Sequence, residues 1–373
     1  MTDKLSHPLL APLQALHRRI RDEVVASTER AAVDVLSHVH ADDEGDTIYA
    51  IDKVAEDVLV EEVDRTIARE HGPVVLVAEG LPGGRVVLPR GASAAEARWT
   101  IIVDPIDGTR GLMYQKRSAW ILTGVAAHQP DPTRLNPPQP VLPEIALAIQ
   151  TEIPLVKQHL SDELWAVRGQ GAHALRVNRL TAREEPLPLR PSRSTTLAHG
   201  FATVARFFPG LRAELAALDD EIAATLLGPP VPGKAQLFED QYISSGGQLY
   251  ELIIGHDRFV ADLRSVARRV PGTTHAGTPA HQHSGTPALS HVSTPAPRHP
   301  GTSKALCCHP YDLCTELIAR ECGVIVTDEQ GAPLGAPLDV EANVSWVGYA
   351  NAGLRDVVQP VLQAALKARG WIA

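Results

Sequence analysis

The sequence predicts a layered α/β protein, and three observations carry that expectation. Short aliphatic, β-branched runs, such as residues 74–78 and 99–103, alternate with stretches whose apolar residues recur at helical spacing. The alternation has no clean strand–helix–strand rhythm, and neither a Rossmann nor a P-loop glycine pattern is present. A chain of 373 residues also has room for one large or two ordinary domains with a substantial core.

The elements follow in order. Residues 8–38 carry Leu13, Leu16, Ile20, Val24, Ala31 and Val35 at helical spacing and predict an amphipathic helix with no chemistry of its own. Residues 40–46 are acidic and turn-like, and 47–51 are β-prone. Asp52 is a good N-cap for a second helix over 53–70, with Val54, Val58, Val63 and Ile67 on its apolar face. Residues 74–78 read as a buried strand that delivers Glu79. The Gly/Pro/Ala-rich stretch 81–97 reads as a loop.

Residues 99–103 form the next strand, and Asp104-Pro-Ile-Asp-Gly-Thr109 stands at its end. Pro105 keeps Asp104 out of the α conformation, and Gly108 permits a left-handed turn. Asp104 and Asp107 can therefore converge on one point, an arrangement that suits a hard divalent cation. A helix opening at Thr109 would add backbone donors for an anion. Arg110, Lys116 and Arg117 follow closely, and the expectation is that one of them, Arg110 first, meets a second anionic group on a ligand.

Residues 121–127 and 144–153 are strand-like, joined by a proline-rich loop, and 164–175 read as a hairpin. Proline-punctuated residues 186–192 mark a hinge between halves 1–185 and 186–373. The second half reads as a strand at 197–204, a helix at 211–227, a small-residue turn Ser244-Ser-Gly-Gly into a short helix, and a strand at 257–263. Residues 271–303 are rich in Thr, Pro, Gly, His and Ala and nearly free of large apolar side chains, so a structureless insertion is expected there. Asp312 then precedes a helix over 313–322, with a strand at 324–327 and a last helix at 354–368.

Composition narrows the function. With 35 basic against 44 acidic residues the net charge is −9, and no nucleic-acid partner is expected. No run of about 18 apolar residues predicts a membrane span. The opening residues lack a charged-then-apolar leader, so the cytoplasm is expected. Cys307, Cys308, Cys314 and Cys322 lack paired C-x-x-C spacing and are expected as reduced, buried thiols.

Asp104-Pro-Ile-Asp-Gly-Thr109 resembles the first signature of the inositol monophosphatase-like, lithium-sensitive metal-dependent phosphatases, and Tyr311-Asp-Leu-Cys-Thr-Glu, followed by Gly323 and Val-Ile-Val-Thr-Asp328, approximates the second. Arg110-Gly111 and Gly80 stand where ordinary relatives have Asn-Phe and a second acid, which marks a variant subgroup. The resemblance implies a five-layer αβαβα sandwich with the site between two halves. It also implies two or three Mg²⁺ held by Glu79, Asp104, the Ile106 carbonyl, Asp107 and Asp312, with Asp52 supporting the cluster from behind. Glu79 and Thr109 would orient and deprotonate the attacking water, and the Gly108–Thr109 amides would hold the phosphate. Gly246, Gly247 and Gln248 match a helix start that faces substrate, and Ala305 falls near a position where many relatives carry a substrate-contacting acid. The implied partner is a small phosphorylated metabolite: an inositol phosphate, a sugar bisphosphate, a 3′-phosphonucleotide or histidinol phosphate. A homodimer is the usual assembly. The competing class is a non-catalytic metal-binding relative acting as a ligand sensor or assembly subunit.

Overall fold

A computed structural model describes residues 7–30, 39–43, 46–128, 139–267 and 307–373. The insertion at 271–303 and Ala305 lie outside the described residues. Helix α1 (Leu10–Arg30) buries Leu13, Leu16, Ile20 and Val24, as its periodicity predicts. Residues 31–38 of the expected helix lie outside the described residues. Strands β1 (Val39–Asp43) and β2 (Asp46–Tyr49) pair antiparallel, so most of the acidic stretch read as a turn is hairpin. Helix α2 (Ala50–Glu62) continues through a π-helical turn at Val63–Ala68. Because α2 starts at Ala50, Asp52 lies inside its first turn and is not the N-cap expected of it. Its carboxylate instead accepts a tertiary hydrogen bond, described below.

The first large element is an eight-stranded sheet. Its strands are β3 (Val74–Ala78), β4 (Arg85–Leu88), β5 (Trp99–Asp107), β6 (Ala119–Ala127), β7 (Leu147–Ile153), β8 (Leu160–Val167), β9 (Ala172–Asn178) and β10 (Arg183–Pro186), in spatial order β10-β9-β8-β7-β6-β5-β3-β4. Only the β3–β5 pairing in this sheet is parallel. Strand β4 corrects the loop expected over 81–97. Positive φ at Gly83 and Gly84 turns the chain back along β3, which the density of Gly and Pro hides in the sequence. The short helix α3 (Thr109–Met113) follows β5.

A four-stranded sheet follows, built from β11 (Phe201–Val204), β12 (Asp257–Asp262), β13 (Ile325–Thr327) and β14 (Trp346–Tyr349), in order β11-β12-β14-β13. Its helices are α4 (Arg212–Leu227), α5 (Ser245–Ile254), α6 (Arg264–Ala267), α7 (Glu316–Glu321) and α8 (Ala352–Ala368). The helix expected over 313–322 is divided. Pro310–Leu313 forms a separate 3-10 turn, closed by the His309 N–H donating to Asp312 Oδ2, and α7 begins only at Glu316. Strand β14, fully buried, has no counterpart in the sequence reading.

The layers are now defined. The α1–α2 pair covers one face of the large sheet, α5 and α7 pack between the two sheets, and α4 and α8 close the outer face of the small sheet. This αβαβα order is the predicted five-layer sandwich. One apolar cluster joins Ile102, Leu122 and Leu164 of the large sheet to Leu249, Leu252 and Leu317 of the middle helices and to Phe259, Trp346 and Tyr349 of the small sheet.

The seam is close at Gly124 of β6. A Cβ there would lie 2.6 Å from Ile145 Cδ1 and 2.8 Å from the Cys314 carbonyl oxygen, just after Asp312. Gly124→Ala should therefore destabilise the fold by about 1–3 kcal/mol through overpacking. Urea unfolding with the wild-type midpoint would show instead that the seam has room to spare.

Candidate metal centre

Strands β3 and β5 run parallel with Ala78 opposite Val103, which places Glu79 and Asp104 side by side at their carboxyl ends. Against β6, Asp104 pairs with Leu122 and Asp107 with Trp120, so β5 advances three residues while β6 advances two. This bulge re-aims the strand and lets both carboxylates share one side. The Ile106 N–H donates to Asp104 Oδ1 at 2.9 Å, closing the turn over Pro105. Gly108, at φ +97°, then turns the chain into α3.

The 3-10 turn Pro310–Leu313 supplies the third carboxylate. Asp104, Asp107 and Asp312 each offer an oxygen, all within 4.8 Å of one another. Asp104 and Asp107 are 5% and 6% exposed. Burial, and then the charges of Asp107 and Asp312, hold the Asp104 pKa well above the usual carboxylate range. Burial raises Asp107 to about 6, against the pull of donors from Ser244, Gly246 and Ser245. Two buried carboxylates and a half-buried third form an all-oxygen donor set, and a hard divalent cation such as Mg²⁺ fits that need.

Donors fix the trio from behind. Ser244 Oγ donates to Asp107 Oδ2 at 2.8 Å and the Gly246 N–H donates to the same oxygen at 2.6 Å. Thr109 Oγ1 lies 2.8 Å from both Asp52 Oδ1 and the Ile106 carbonyl oxygen, two acceptors for its one hydroxyl proton. Glu56, one helical turn beyond Asp52, is buried, and its carboxyl packs over Gly80, where a Cβ would lie 3.0 Å from Glu56 Cδ. The space that a side chain at position 80 would take is thus filled by a carboxylate from α2.

Other expected site residues are placed differently. The amide N–H groups of Gly246 and Gly247 donate to Asp107 and to the Ser244 cap. A Cβ on Gly246 would lie 2.5 Å from Leu122 and 2.9 Å from Asp107 Oδ2, so only glycine lets α5 come this close. Gln248 is buried and donates to the Tyr242 carbonyl at 3.0 Å. Of the three cations, Arg117 pairs with Asp240 and Glu251 and lies over the Tyr242 ring, so its charge is met within the fold. Lys116 is exposed. Arg110 lies over Phe208, 5.4 Å from its centroid. Arg264, buried and paired with Asp262, lies over Phe207 and Phe208.

Phe207, Phe208 and Arg264 are absent from the sequence reading, and Ser244 enters it only as part of a small-residue turn. Ser244 alone left a signal there, since Ser ahead of a small-residue helix start is an N-cap pattern.

No family model matches the chain, and no curated protein matches it. Solved structures do. Fructose-1,6-bisphosphatase of Leishmania major in its holo form superposes with a TM-score of 0.60 at 10% identity, over 96% of this chain and 93% of that one. The extragenic suppressor protein SuhB of Bartonella henselae gives 0.58 at 13%, over 96% and 99%. The IMPase of Thermotoga maritima gives 0.55 at 14%, over 97% and 99%. The chain therefore has the fold of the inositol monophosphatase and fructose-bisphosphatase type. Among the described residues no helix is long and apolar enough to cross a membrane.

The raised carboxylate pKa values fix a stability signature. Asp107 moves from 3.8 in the unfolded chain to about 6 in the fold, so the folded state holds its proton more tightly. That stabilisation is present below pH 4 and is lost as pH rises through about 6. Asp104→Asn should raise the melting temperature of the metal-free protein at pH 8 by a few degrees, about 2–4 °C per kcal/mol, and by less at pH 5. Equal melting curves at pH 8 would mean the three charges do not repel as described.

Proposed function

We propose that the protein is a Mg²⁺-dependent phosphomonoesterase acting on a small phosphorylated metabolite. The observation that carries this reading is the convergence of Asp104, Asp107 and Asp312 beside the Thr109–Asp52 hydrogen bond. Glu79, Asp104, the Ile106 carbonyl, Asp107 and Asp312 would hold two or three Mg²⁺. Bound Mg²⁺ supplies the charge that activates a water and stabilises the leaving oxygen.

The chain's own groups do the rest. Thr109, its hydroxyl held by Asp52, and Glu79 orient the attacking water, and the Glu79 carboxylate takes up its proton. The Gly108 and Thr109 amides hold the phosphoryl oxygens at the left-handed turn into α3. Gly246, Gly247 and Gln248 support this from behind by fixing Asp107 and the start of α5. Arg110, against Phe208 near the turn into α3, favours a substrate that carries a second anionic group. Action in the cytoplasm as a homodimer, with chain halves at 1–185 and 186–373, completes the proposal.

The test is phosphate release with Mg²⁺ across mono- and bisphosphorylated substrates. Asp104→Asn should lose more than about 100-fold in turnover, beyond what loss of an outer hydrogen-bond partner costs. Near-normal turnover in that variant, or Mg²⁺ binding with silence across the panel, would sink the phosphatase reading. Arg110→Ala should raise KM for the doubly charged substrates by roughly tenfold or more, and leave singly charged ones nearly unchanged. An equal effect on both classes would remove Arg110 from recognition.

A further inference from the structure

Gln150 sits in the middle of β7 and is fully buried. Cross-strand pairing runs Asp104 to Leu122 to Gln150, so Gln150 lies in the same row as Asp104, two strands and about 10 Å away. Residues paired directly across antiparallel strands face the same side. That side carries the middle helices, α5 and α7.

Both ends of the Gln150 amide are used there. Its Nε2 donates to the Gly246 carbonyl at 2.8 Å, and its Oε1 accepts from Thr315 Oγ1 at 3.0 Å. Each contact leads to a different carboxylate of the trio. Gly246 donates its own N–H to Asp107, and Thr315 stands three residues after Asp312 at the start of α7. Thr315 occupies the N-cap position of α7, yet its hydroxyl makes no capping bond there. A threonine at a helix start normally caps. Here its hydroxyl is fully buried and turned to Gln150 instead.

We propose that Gln150 is a positioning residue that sets the spacing between Asp107 and Asp312. One planar amide from the first half fastens the two segments of the second half that bear on the cluster. Only a side chain with a donor and an acceptor at the same end fills both roles. The α5 start and the Asp312 turn then cannot drift apart without leaving a buried amide group unpaired. The inference rests on the metal-centre reading of the carboxylates but not on the identity of the substrate.

The test is Mg²⁺ calorimetry on wild type, Gln150→Leu, Thr315→Val and Thr315→Ser, with melting curves of each protein with and without Mg²⁺. Gln150→Leu and Thr315→Val should weaken Mg²⁺ binding by about 10–100-fold, and Thr315→Ser should bind like wild type. The melting gain that Mg²⁺ brings should shrink in Thr315→Val by more than its metal-free melting temperature falls. If Gln150→Leu does not fold, the Thr315→Val and Thr315→Ser pair decides alone. Mg²⁺ affinity of Thr315→Val within twofold of wild type overturns the proposal, whatever happens to its metal-free stability. Absence of Mg²⁺ binding by the wild type would overturn the metal-centre reading, and this proposal with it. Normal binding and spacing effects without phosphate release would leave the positioning role standing and remove only the phosphatase reading.

Discussion

Three like-charged carboxylates held within 4.8 Å of one another, two of them almost without solvent, are the constraint the rest of the structure answers. Left alone, such a group pushes itself apart or takes up protons. The fold opposes both with hydrogen-bond donors and with rigidity. The bulge in β5, the left-handed turn at Gly108 and the absence of a side chain at Gly246 each remove an obstacle to convergence. Ser244 and the Gly246 amide then aim partial positive charge at Asp107.

The two larger sheets contribute unlike things. The large sheet brings rigid strand ends, because β5 is bonded on both sides and its register is set by buried aliphatic side chains. The small sheet brings turns and helix starts, which carry free backbone donors and one more carboxylate. A cluster divided this way has its geometry fixed by the packing of the middle helices. The shared apolar core and the close approach at Gly124 serve that end.

Much of this was legible in the sequence, for definite reasons. The strand ending in Asp104-Pro-Ile-Asp-Gly-Thr109 is local information: an aliphatic run, a proline that enforces extension, and a glycine at the turn. The layered α/β class followed from periodicity, and the five-layer order from the resemblance carried by that motif. What escaped was information held between distant segments. Asp52 has the composition of an N-cap, but its partner is Thr109, and the tertiary bond outcompetes the local one. Arg117 reads as one of three candidate anion contacts, but its counter-charges, Asp240 and Glu251, lie more than a hundred residues further along the chain. Glu56 covers Gly80 across a gap no spacing rule spans. Strands β4 and β14 are short and owe their place to neighbours already formed.

The split of the cluster between halves also orders events in time. Chains emerge from synthesis amino end first, and contacts between distant segments form late because long loops must close first. Asp104 and Asp107 are made long before Asp312 and the Ser244–Gly246 turn that steadies Asp107. A half-made chain therefore has no assembled trio. The cluster comes into being only when the second sheet docks, so its formation marks the completion of the whole fold.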